Sequence, residues 1–375
     1  MTRKTMADGP SAGRAAPAAV EGCVEGSLEG SVAGGAPAAR SAAEVLDWSR
    51  RLVDPALRET IAYLPESMRR ITAYHFGWRD EHDRPAEGRG GKRIRPALVL
   101  LTAEAAGGVA SAALPGAVAV ELAHNFSLLH DDVMDGDLTR HHRATAWSVF
   151  GRNSAILAGD ALLACAFEAI ADGRHAAGPQ AVRVLARAVL DLVEGQSADL
   201  AFERRADVSL AECLEMAEGK TAALLGGACA IGAAYGGAPP ERLDHYRRFG
   251  ARLGLAFQLV DDLLGIWGDP AVTGKPVHAD LLSRKKSLPV VAALSSGGPA
   301  GGELAALYRR EGGLTAAEAV RAAELVEAAG GRGWAARRAA ECLQEALAHL
   351  ELAGPRAPAA GELRALARLV IARDH

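Results

Sequence analysis

From about Ser41 to the C-terminus, apolar residues recur at the three- and four-residue spacing that is typical of amphipathic helices. The alternating pattern of strands is nearly absent, so we predict no sheet. One amphipathic run begins at Ala43 and is punctuated by Pro55. We predict the later helices over residues 94–106, 115–134, 153–172, 179–202, 208–235, 239–267, 287–296, 302–311, 314–329, 331–352 and 360–373.

The breaks between these segments are short clusters of glycine and proline, and no linker or solenoid-like repeat divides the helical part. Hydrophobic residues make up 49% of the 375-residue chain, which is enough to bury a large core. We therefore predict an all-α fold in which residues 41–375 form a single large helical domain.

Residues 1–40 are rich in alanine, glycine, serine and proline and carry few large apolar side chains. Such a segment buries too little surface to offset its ordering entropy, so we expect a disordered N-terminal tail. Its isolated apolar residues are Val20, Cys23, Val24, Leu28 and Val32. Two interpretations stay open: a dispensable tail, or a docking peptide that loads the protein into a shell (encapsulation) or onto a scaffold.

Charge and cysteine usage narrow the class of protein. The net charge of −4 gives no reason to expect a nucleic-acid partner. We find no run of about eighteen apolar residues, which predicts no membrane span. The five cysteines lack metal-ligand spacing, as expected for reduced thiols. A soluble cytoplasmic enzyme fits these properties.

An apolar helix that begins near Leu114 ends in the sequence LLHDDVMD, with aspartates at positions 131, 132 and 135. Negative charge is unfavourable at the C-terminal end of a helix and in apolar surroundings, so a counter-charge is expected. Asp131 and Asp135 share one helix face, and two such carboxylates can hold Mg²⁺ together with phosphate oxygens and water. Taken alone, the cluster also fits a solvated acidic helix end.

A second apolar helix ends in the sequence FQLVDDLL, with paired aspartates at Asp261 and Asp262. Two such helix ends facing each other would form an acidic mouth for several Mg²⁺ ions. A diphosphate is the natural ligand of such a mouth, because the metals neutralise it and make it a good leaving group.

Compact basic motifs complete this pattern. The sequence GGKRIRP precedes an apolar helix, and its glycines together with the helix N-terminus suit a phosphate group. Arg140 follows the first aspartate cluster, Lys220 lies among small residues, and Lys275 and Lys285 follow the second cluster. A GGKR string alone is weak evidence, because Lys and Arg clusters usually just solvate a loop.

The chain resembles the trans-isoprenyl diphosphate synthase (polyprenyl synthetase) family in five motifs, in family order and spacing: GGKRIRP, ELAHNFSLLHDDVMDGDLTR, GQSAD, GKT and FQLVDDLLGIWGDPAVTGK. The resemblance implies a helical bundle of the isoprenoid synthase type around a central active-site cavity. It also implies a Mg²⁺-dependent prenyltransferase, active as a homodimer, that condenses isopentenyl diphosphate with an allylic diphosphate.

The resemblance also implies a role for each matching residue. Three Mg²⁺ would be held by Asp131, Asp135 and Asp261, with further support from Asp132, Asp262 and Asp199. The residues that grip the departing diphosphate or face the carbocation would be Lys220, Thr221, Gln196, Arg140, Lys275 and Lys285. The isopentenyl diphosphate site would comprise Gly91, Lys92, Arg95, His124, His141, Phe257 and Gln258.

Two positions depart from the family pattern. The second aspartate motif usually reads DDxxD, but its last position here is Gly265. The paired arginines after the first motif are Arg140 and His141, and a histidine is less often charged at neutral pH, so we expect weaker isopentenyl diphosphate binding. These departures leave open a weakly active partner subunit of a heteromeric synthase.

Product length in this family depends on the residues four and five places before the first aspartate, which are Ser127 and Phe126. A single ring there resembles synthases of the C20 type, so we expect geranylgeranyl diphosphate, with farnesyl diphosphate as the alternative. Phe126 equally fits a plain core position. A class I terpene cyclase is disfavoured, because its second motif is NDxxSxxxE-like and lacks the paired aspartates.

Overall fold

The computed structural model describes residues 39–86, 91, 93–140, 143–270, 276–310 and 312–372. The predicted tail, apart from its last two residues, lies outside these ranges. Three predicted site residues also lie outside them: Lys92, His141 and Lys275. The described helices belong to one unit that extends to the C-terminus, and the tail boundary at residue 40 stays a prediction.

Among the described residues, the first part of the chain consists of helices joined by turns, an isolated bridge between Arg79 and Pro85, and a short hairpin. A 3₁₀ turn leads into α4, and the hairpin between α4 and α5 pairs Thr139–Arg140 (β1) with Arg143–Ala144 (β2). The helices are α1 (Ala42–Ala62), α2 (Glu66–His75), α3 (Ile94–Ala106), α4 (Leu114–Asp135), α5 (Ala146–Phe150), α6 (Arg152–Asp172), α7 (Gly178–Arg204) and α8 (Leu210–Ala217).

The second part continues through a π-helical turn at Glu218–Ala222. Its helices are α9 (Ala223–Tyr235), α10 (Pro240–Trp267), α11 (Ala279–Leu282), α12 (Leu288–Leu294), α13 (Pro299–Arg309), α14 (Ala316–Ala328), α15 (Gly331–Leu352) and α16 (Ala359–Ile371). The all-α prediction is confirmed. The hairpin was not predicted, because strands of two residues are too short to show alternation.

The prediction that Pro55 punctuates the first run was wrong, since α1 continues through it. Val53 and Leu57, on either side of the proline, are fully buried. Their packing holds the helix together despite the hydrogen bond that proline cannot donate. At its start, α1 has a reciprocal capping box between Ser41 and Glu44.

The buried centre of the bundle is α9, in which every residue from Leu224 to Tyr235 is buried. Its many alanines and glycines let α3, α7 and α10 pack closely around it. Outside this centre, α4 packs on α6, and α10 packs on α15. The two helices that carry aspartate pairs towards their C-terminal ends, α4 and α10, are therefore fixed by extensive packing along their length.

Two described helical stretches, Ala110–Asp135 and Arg152–Asp172, are long and apolar enough to cross a membrane by length and composition alone. The first is mostly buried in the bundle, as a core helix would be. Such helices are weak evidence for a membrane span, and the expectation of no span stays a prediction.

Candidate active site

The C-terminal end of α4 presents two carboxylates, those of Asp131 and Asp135. Asp131 and Asp135 accept no hydrogen bond and form no ion pair with any of the described residues. Burial raises the pKa of Asp131 to about 6, with Lys220 acting in the opposite direction. Burial also raises the pKa of Asp135, again opposed by Lys220. This end of α4 is electrostatically unfavourable by itself and suits a cationic ligand.

Asp132, between these two residues, has a different environment. Its side chain is buried and accepts a 2.7 Å hydrogen bond from Nε of Arg140, in the hairpin that follows α4. Asp132 therefore holds the Arg140 guanidinium near Asp131, on which it acts electrostatically.

The aspartate pair towards the C-terminal end of α10 shows the same contrast between a buried aspartate and a more exposed one. Asp261 is exposed, whereas Asp262 is buried. Asp262 accepts hydrogen bonds from Nε2 of Gln258 at 2.8 Å and from the backbone N–H of Leu288 at 2.9 Å. Burial raises the pKa of Asp262 to about 6, opposed by Lys285.

Gln258 connects the second aspartate pair to the GKT motif. Its Oε1 accepts a 2.6 Å hydrogen bond from Oγ1 of Thr221, while its Nε2 donates to Asp262. The assignment of Gln258 to the isopentenyl diphosphate site stays a prediction. In the structure, Gln258 also holds the Thr221 hydroxyl in place by accepting its hydrogen bond.

A close helix approach brings the GQSAD and GKT motifs together. A Cβ atom on Gly195 would lie 2.2 Å from the backbone nitrogen of Lys220, so only glycine allows α7 to pack against the π-helical turn. Beside this contact, Nζ of Lys220 bonds to Oδ2 of Asp199 at 2.5 Å. Gln196 is buried, and neither polar atom of its amide has a hydrogen-bond partner among the described residues.

Lys285 lies between acidic side chains at the mouth of the site. Its Nζ is 4.0 Å from Oδ1 of Asp262 and 4.0 Å from Oδ2 of Asp280. Burial alone would lower the pKa of Lys285, but Asp280 and Asp262 outweigh it and raise the pKa. The sequence analysis missed Asp280, whose only signal was its place between two basic motifs.

The described residues of the predicted isopentenyl diphosphate site are spread over three helices and one loop position: Arg95 in α3, His124 in α4, Phe257 and Gln258 in α10, and Gly91 before α3. Arg95 in the first turn of α3 and His124 in α4 are both half-buried. Arg93 is buried instead, in ion pairs with Asp54 at 2.7 Å and Glu121 at 3.0 Å. These pairs anchor the basic motif to the bundle.

The two predicted chain-length residues lie in α4, below the open carboxylates. Phe126 is 7% exposed, and its ring meets the His130 ring edge-on at 4.9 Å between centroids. Ser127 is also buried, and its hydroxyl donates to the carbonyl of His124 at 2.8 Å. Phe126 is therefore held in one orientation beside a small residue.

Known proteins share much of this sequence and fold. The model of the polyprenyl synthetase family matches residues 86–325. The chain belongs to the polyprenyl synthetase family. It is 48% identical to the (2E,6E)-farnesyl diphosphate synthase of Mycobacterium bovis, over 89% of this chain and 94% of that protein. It is 46% identical to the geranylgeranyl diphosphate synthase of Mycobacterium tuberculosis, over 88% and 93%.

A crystal structure of a polyprenyl synthetase from Streptomyces coelicolor superimposes on this synthetase with a TM-score of 0.84. The two sequences are 46% identical, and the match covers 87% of this chain and 98% of that chain. The protein is therefore a trans-isoprenyl diphosphate synthase, an all-α prenyltransferase, as the motifs predicted.

The donor set of this synthetase fits Mg²⁺ only if a ligand contributes. Among the described residues, no three His, Cys, Asp or Glu side chains converge closely enough to hold a metal ion by themselves. Asp131 and Asp135 offer hard oxygen donors that have no partner among the residues the structure describes, as Mg²⁺ sites completed by phosphate oxygens and water require.

Proposed function

We propose that this synthetase condenses isopentenyl diphosphate with an allylic diphosphate in a Mg²⁺-dependent reaction that releases inorganic diphosphate. The observation that carries this proposal is the pair of open carboxylates, Asp131 and Asp135. Lys220 and Lys285 both act on Asp135 electrostatically, so cations and carboxylates converge on one mouth. A diphosphate bridged by divalent cations satisfies both sets of charges.

Asp131, Asp135 and Asp261 would hold the metal ions, with the phosphate oxygens completing their coordination. Bound Mg²⁺ would neutralise the diphosphate and make it a better leaving group. Asp132 and Asp262 would act from behind, because their oxygens already bond to Arg140, Gln258 and the backbone.

The cations of the chain would grip the diphosphate as it leaves. Lys220 would exchange its bond to Asp199 for a phosphate oxygen, and Lys285 and Arg140 would add charge from the second and first helix ends. Such fixed charges stabilise the negative charge that develops on the leaving group. Lys275, outside the described residues, would contribute in the same way.

The allylic carbocation would face the amide of Gln196 and the hydroxyl of Thr221. Gln196 is free of other hydrogen bonds among the described residues, and Gln258 orients Thr221. The isopentenyl double bond would then attack the allylic C1, and one proton would leave the new cation for the departed diphosphate. No protein nucleophile is needed.

We propose geranylgeranyl diphosphate as the product, on the basis of the fixed Phe126 ring and the small Ser127 beside it. Farnesyl diphosphate is the second candidate, because the M. bovis relative is named as a farnesyl diphosphate synthase. A C20 product is expected if the single Phe126 ring, five residues before Asp131, limits the space for the growing chain. A C15 product would mean that other side chains set the floor.

We propose a homodimer that forms through α6 and α7. The apolar side chains of Leu157 in α6 and Leu190 in α7 are 56% and 63% exposed. Covering such residues is a common role of a second copy. A glutamate at both positions is expected to give a monomer in sedimentation or light-scattering measurements, whereas an unchanged mass would contradict this interface.

For the tail of residues 1–40, we keep a docking or shell-loading peptide as a proposal that rests on composition. It predicts that the tail fused to a carrier protein co-purifies with the partner of the full-length enzyme. A tail-deleted enzyme that retains the same partner would contradict it. A cytoplasmic location is proposed from the four described cysteines, which are buried and free.

The experiment that tests the reaction is incubation of purified enzyme with isopentenyl diphosphate and dimethylallyl, geranyl or farnesyl diphosphate, with Mg²⁺ or EDTA. We expect a C20 product only with Mg²⁺. A C15 product keeps the reaction and rejects the Phe126 floor. No product with any starter favours the partner-subunit alternative.

A further inference from the structure

The second strand of the hairpin that follows α4 is tied to α2 by two side chains. The hydroxyl of Tyr74 in α2 donates a 2.8 Å hydrogen bond to the carbonyl of Ala144. In return, Nη1 of Arg143 donates to the carbonyl of Tyr74 at 3.2 Å, and its guanidinium lies 4.5 Å from the centre of the Tyr74 ring. Tyr74 is buried and meets the ring of Phe150 edge-on at 5.2 Å, so α2 offers a fixed anchor.

Arg143 also reaches the segment that leads to the GGKRIRP motif. Its Nη2 donates to the carbonyl of Arg79 at 3.1 Å. Residues 78–86 fold back on themselves through an antiparallel bridge between Arg79 and Pro85, and the basic motif follows in the sequence. One guanidinium therefore joins two segments that both supply residues to the predicted isopentenyl diphosphate site.

Arg140 and Arg143 lie directly opposite each other in the hairpin. Like charges in such a pair destabilise a hairpin, and here each guanidinium is drawn to partners of its own. Nε of Arg140 donates to Oδ1 of Asp132 at 2.7 Å, whereas Arg143 donates to the two carbonyls. The two arginines thus have separate anchors, Arg140 on α4 and Arg143 on α2 and the segment before the basic motif.

His141 lies between these arginines in the sequence, outside the described residues. The family resemblance places it at the isopentenyl diphosphate, whereas Arg140 would grip the allylic diphosphate. Loss of the Arg143 contacts would release the second strand but leave Arg140 bonded to Asp132. The binding of the two substrates should therefore respond differently to a change at Arg143.

We propose that Arg143 is a positioning residue for the binding of isopentenyl diphosphate. Together with Tyr74, it holds the hairpin against α2 and against the segment that leads to GGKRIRP, so that both segments bind the same diphosphate. This inference rests on the proposed prenyltransferase function.

The test removes these anchors one at a time. Arg143→Met keeps the length of the side chain but loses its donors, Arg143→Lys keeps the charge on a single donor group, and Tyr74→Phe removes only the hydroxyl. The control is Arg152→Met, at an exposed arginine of α6 whose guanidinium lies 5.2 Å from the centre of the Trp147 ring. The readouts are kcat, the Michaelis constants for both substrates, and the Kd of isopentenyl diphosphate from titration calorimetry. Thermal unfolding of each variant establishes that it is folded.

We expect Arg143→Met to raise the Michaelis constant and the Kd for isopentenyl diphosphate about 10-fold or more, because hydrogen bonds from a charged donor are lost. The Michaelis constant for the allylic diphosphate should stay near the wild-type value, since Asp132 still holds Arg140. Tyr74→Phe should raise the isopentenyl diphosphate constants about 2- to 10-fold, because a neutral hydrogen bond contributes less. Arg143→Lys should fall between wild type and Arg143→Met, and Arg152→Met should match wild type.

Two results would overturn the inference: wild-type constants for isopentenyl diphosphate in Arg143→Met, or an equal rise in the Michaelis constants for both substrates. The second result would mean that the contacts only stabilise the hairpin, because a general loosening would also free Arg140. If Arg143→Met does not fold, Arg143→Lys and Tyr74→Phe decide by the same comparison. A wild-type enzyme that forms no prenyl product would instead reject the proposed function, while the calorimetric Kd of isopentenyl diphosphate would still test Arg143.

Discussion

The two helix ends that carry aspartate pairs are alike in one respect. In each pair, the second aspartate is buried and bonded to protein: Asp132 to Arg140, and Asp262 to Gln258 and Leu288. In each case, a cation from the segment that follows the helix lies beside that buried aspartate, Arg140 in the first and Lys285 in the second. The repeated arrangement places a positive charge beside the buried aspartate of each pair.

The ends differ in how much of the surrounding chain they engage. At the end of α4, Asp131 and Asp135 bond to none of the described residues. At the end of α10, Thr221, Leu288, Lys285 and Asp280 all converge from other segments. The carboxylates at the α4 end are therefore available to the proposed ligand, whereas tertiary contacts determine the arrangement of the side chains at the α10 end. Mutations at the two ends should separate activity from stability.

The largest effect is expected at the α4 end. Asp131→Ala should lower kcat/KM about 10³-fold or more, because a metal contributes several kcal/mol to transition-state stabilisation. The free energy of unfolding without Mg²⁺ should stay equal or increase, because burial already disfavours this carboxylate and raises its pKa to about 6. Steady-state kinetics and urea unfolding measure both, with Asp172→Ala as control. A large loss of stability would contradict the contrast.

The second effect is expected at the α10 end and acts on stability. Asp262→Ala leaves the Leu288 N–H and the Gln258 amide without their acceptor and removes one of the two acids beside Lys285. We expect a loss of about 2–3 kcal/mol in the free energy of unfolding at pH 7, because unsatisfied buried donors are costly. Asp262→Asn is the matched variant, since it keeps the shape and one acceptor oxygen. Equal stability of the alanine variant and wild type would show that the α10 end needs no such support.

Local spacing in the sequence accounts for part of the geometry of this site, and tertiary packing accounts for the rest. The i,i+4 pair Asp131 and Asp135 follows from helix geometry alone. By contrast, Arg93 is buried by ion pairs with Asp54 and Glu121, and Gln258 orients the Thr221 hydroxyl. Both arrangements depend on segments distant in the sequence. Asp280 could not be found from spacing, because tertiary packing brings it and Asp262 to the same lysine, Lys285.

A smaller effect is expected in the pH dependence of the free energy of unfolding. Burial raises the pKa of Asp262 to about 6, so the folded state binds its proton more tightly than the unfolded chain does. The free energy of unfolding should therefore fall as pH rises from about 4 to 6, by at most about 3 kcal/mol for this group, and level off above. Urea unfolding across this range should show a flatter profile for Asp262→Asn. An identical slope in both proteins would contradict the assignment.

The smallest effect on rate is expected at Phe126 and Ser127, which precede the carboxylates in α4. Substitutions there should change the length of the product. Phe126→Ala should lengthen the product beyond C20 with little change in kcat, because it removes the ring held edge-on by His130. Ser127→Phe should shorten the product towards C15, because it adds a second ring at that depth.

The control at the other helix end is Phe257→Leu, four residues before Asp261, which should leave product length unchanged. Chromatography of the dephosphorylated products distinguishes these outcomes. If Phe257→Leu shifts the length while Phe126→Ala does not, the growing chain extends along α10, and the two helix ends exchange their roles in setting product length.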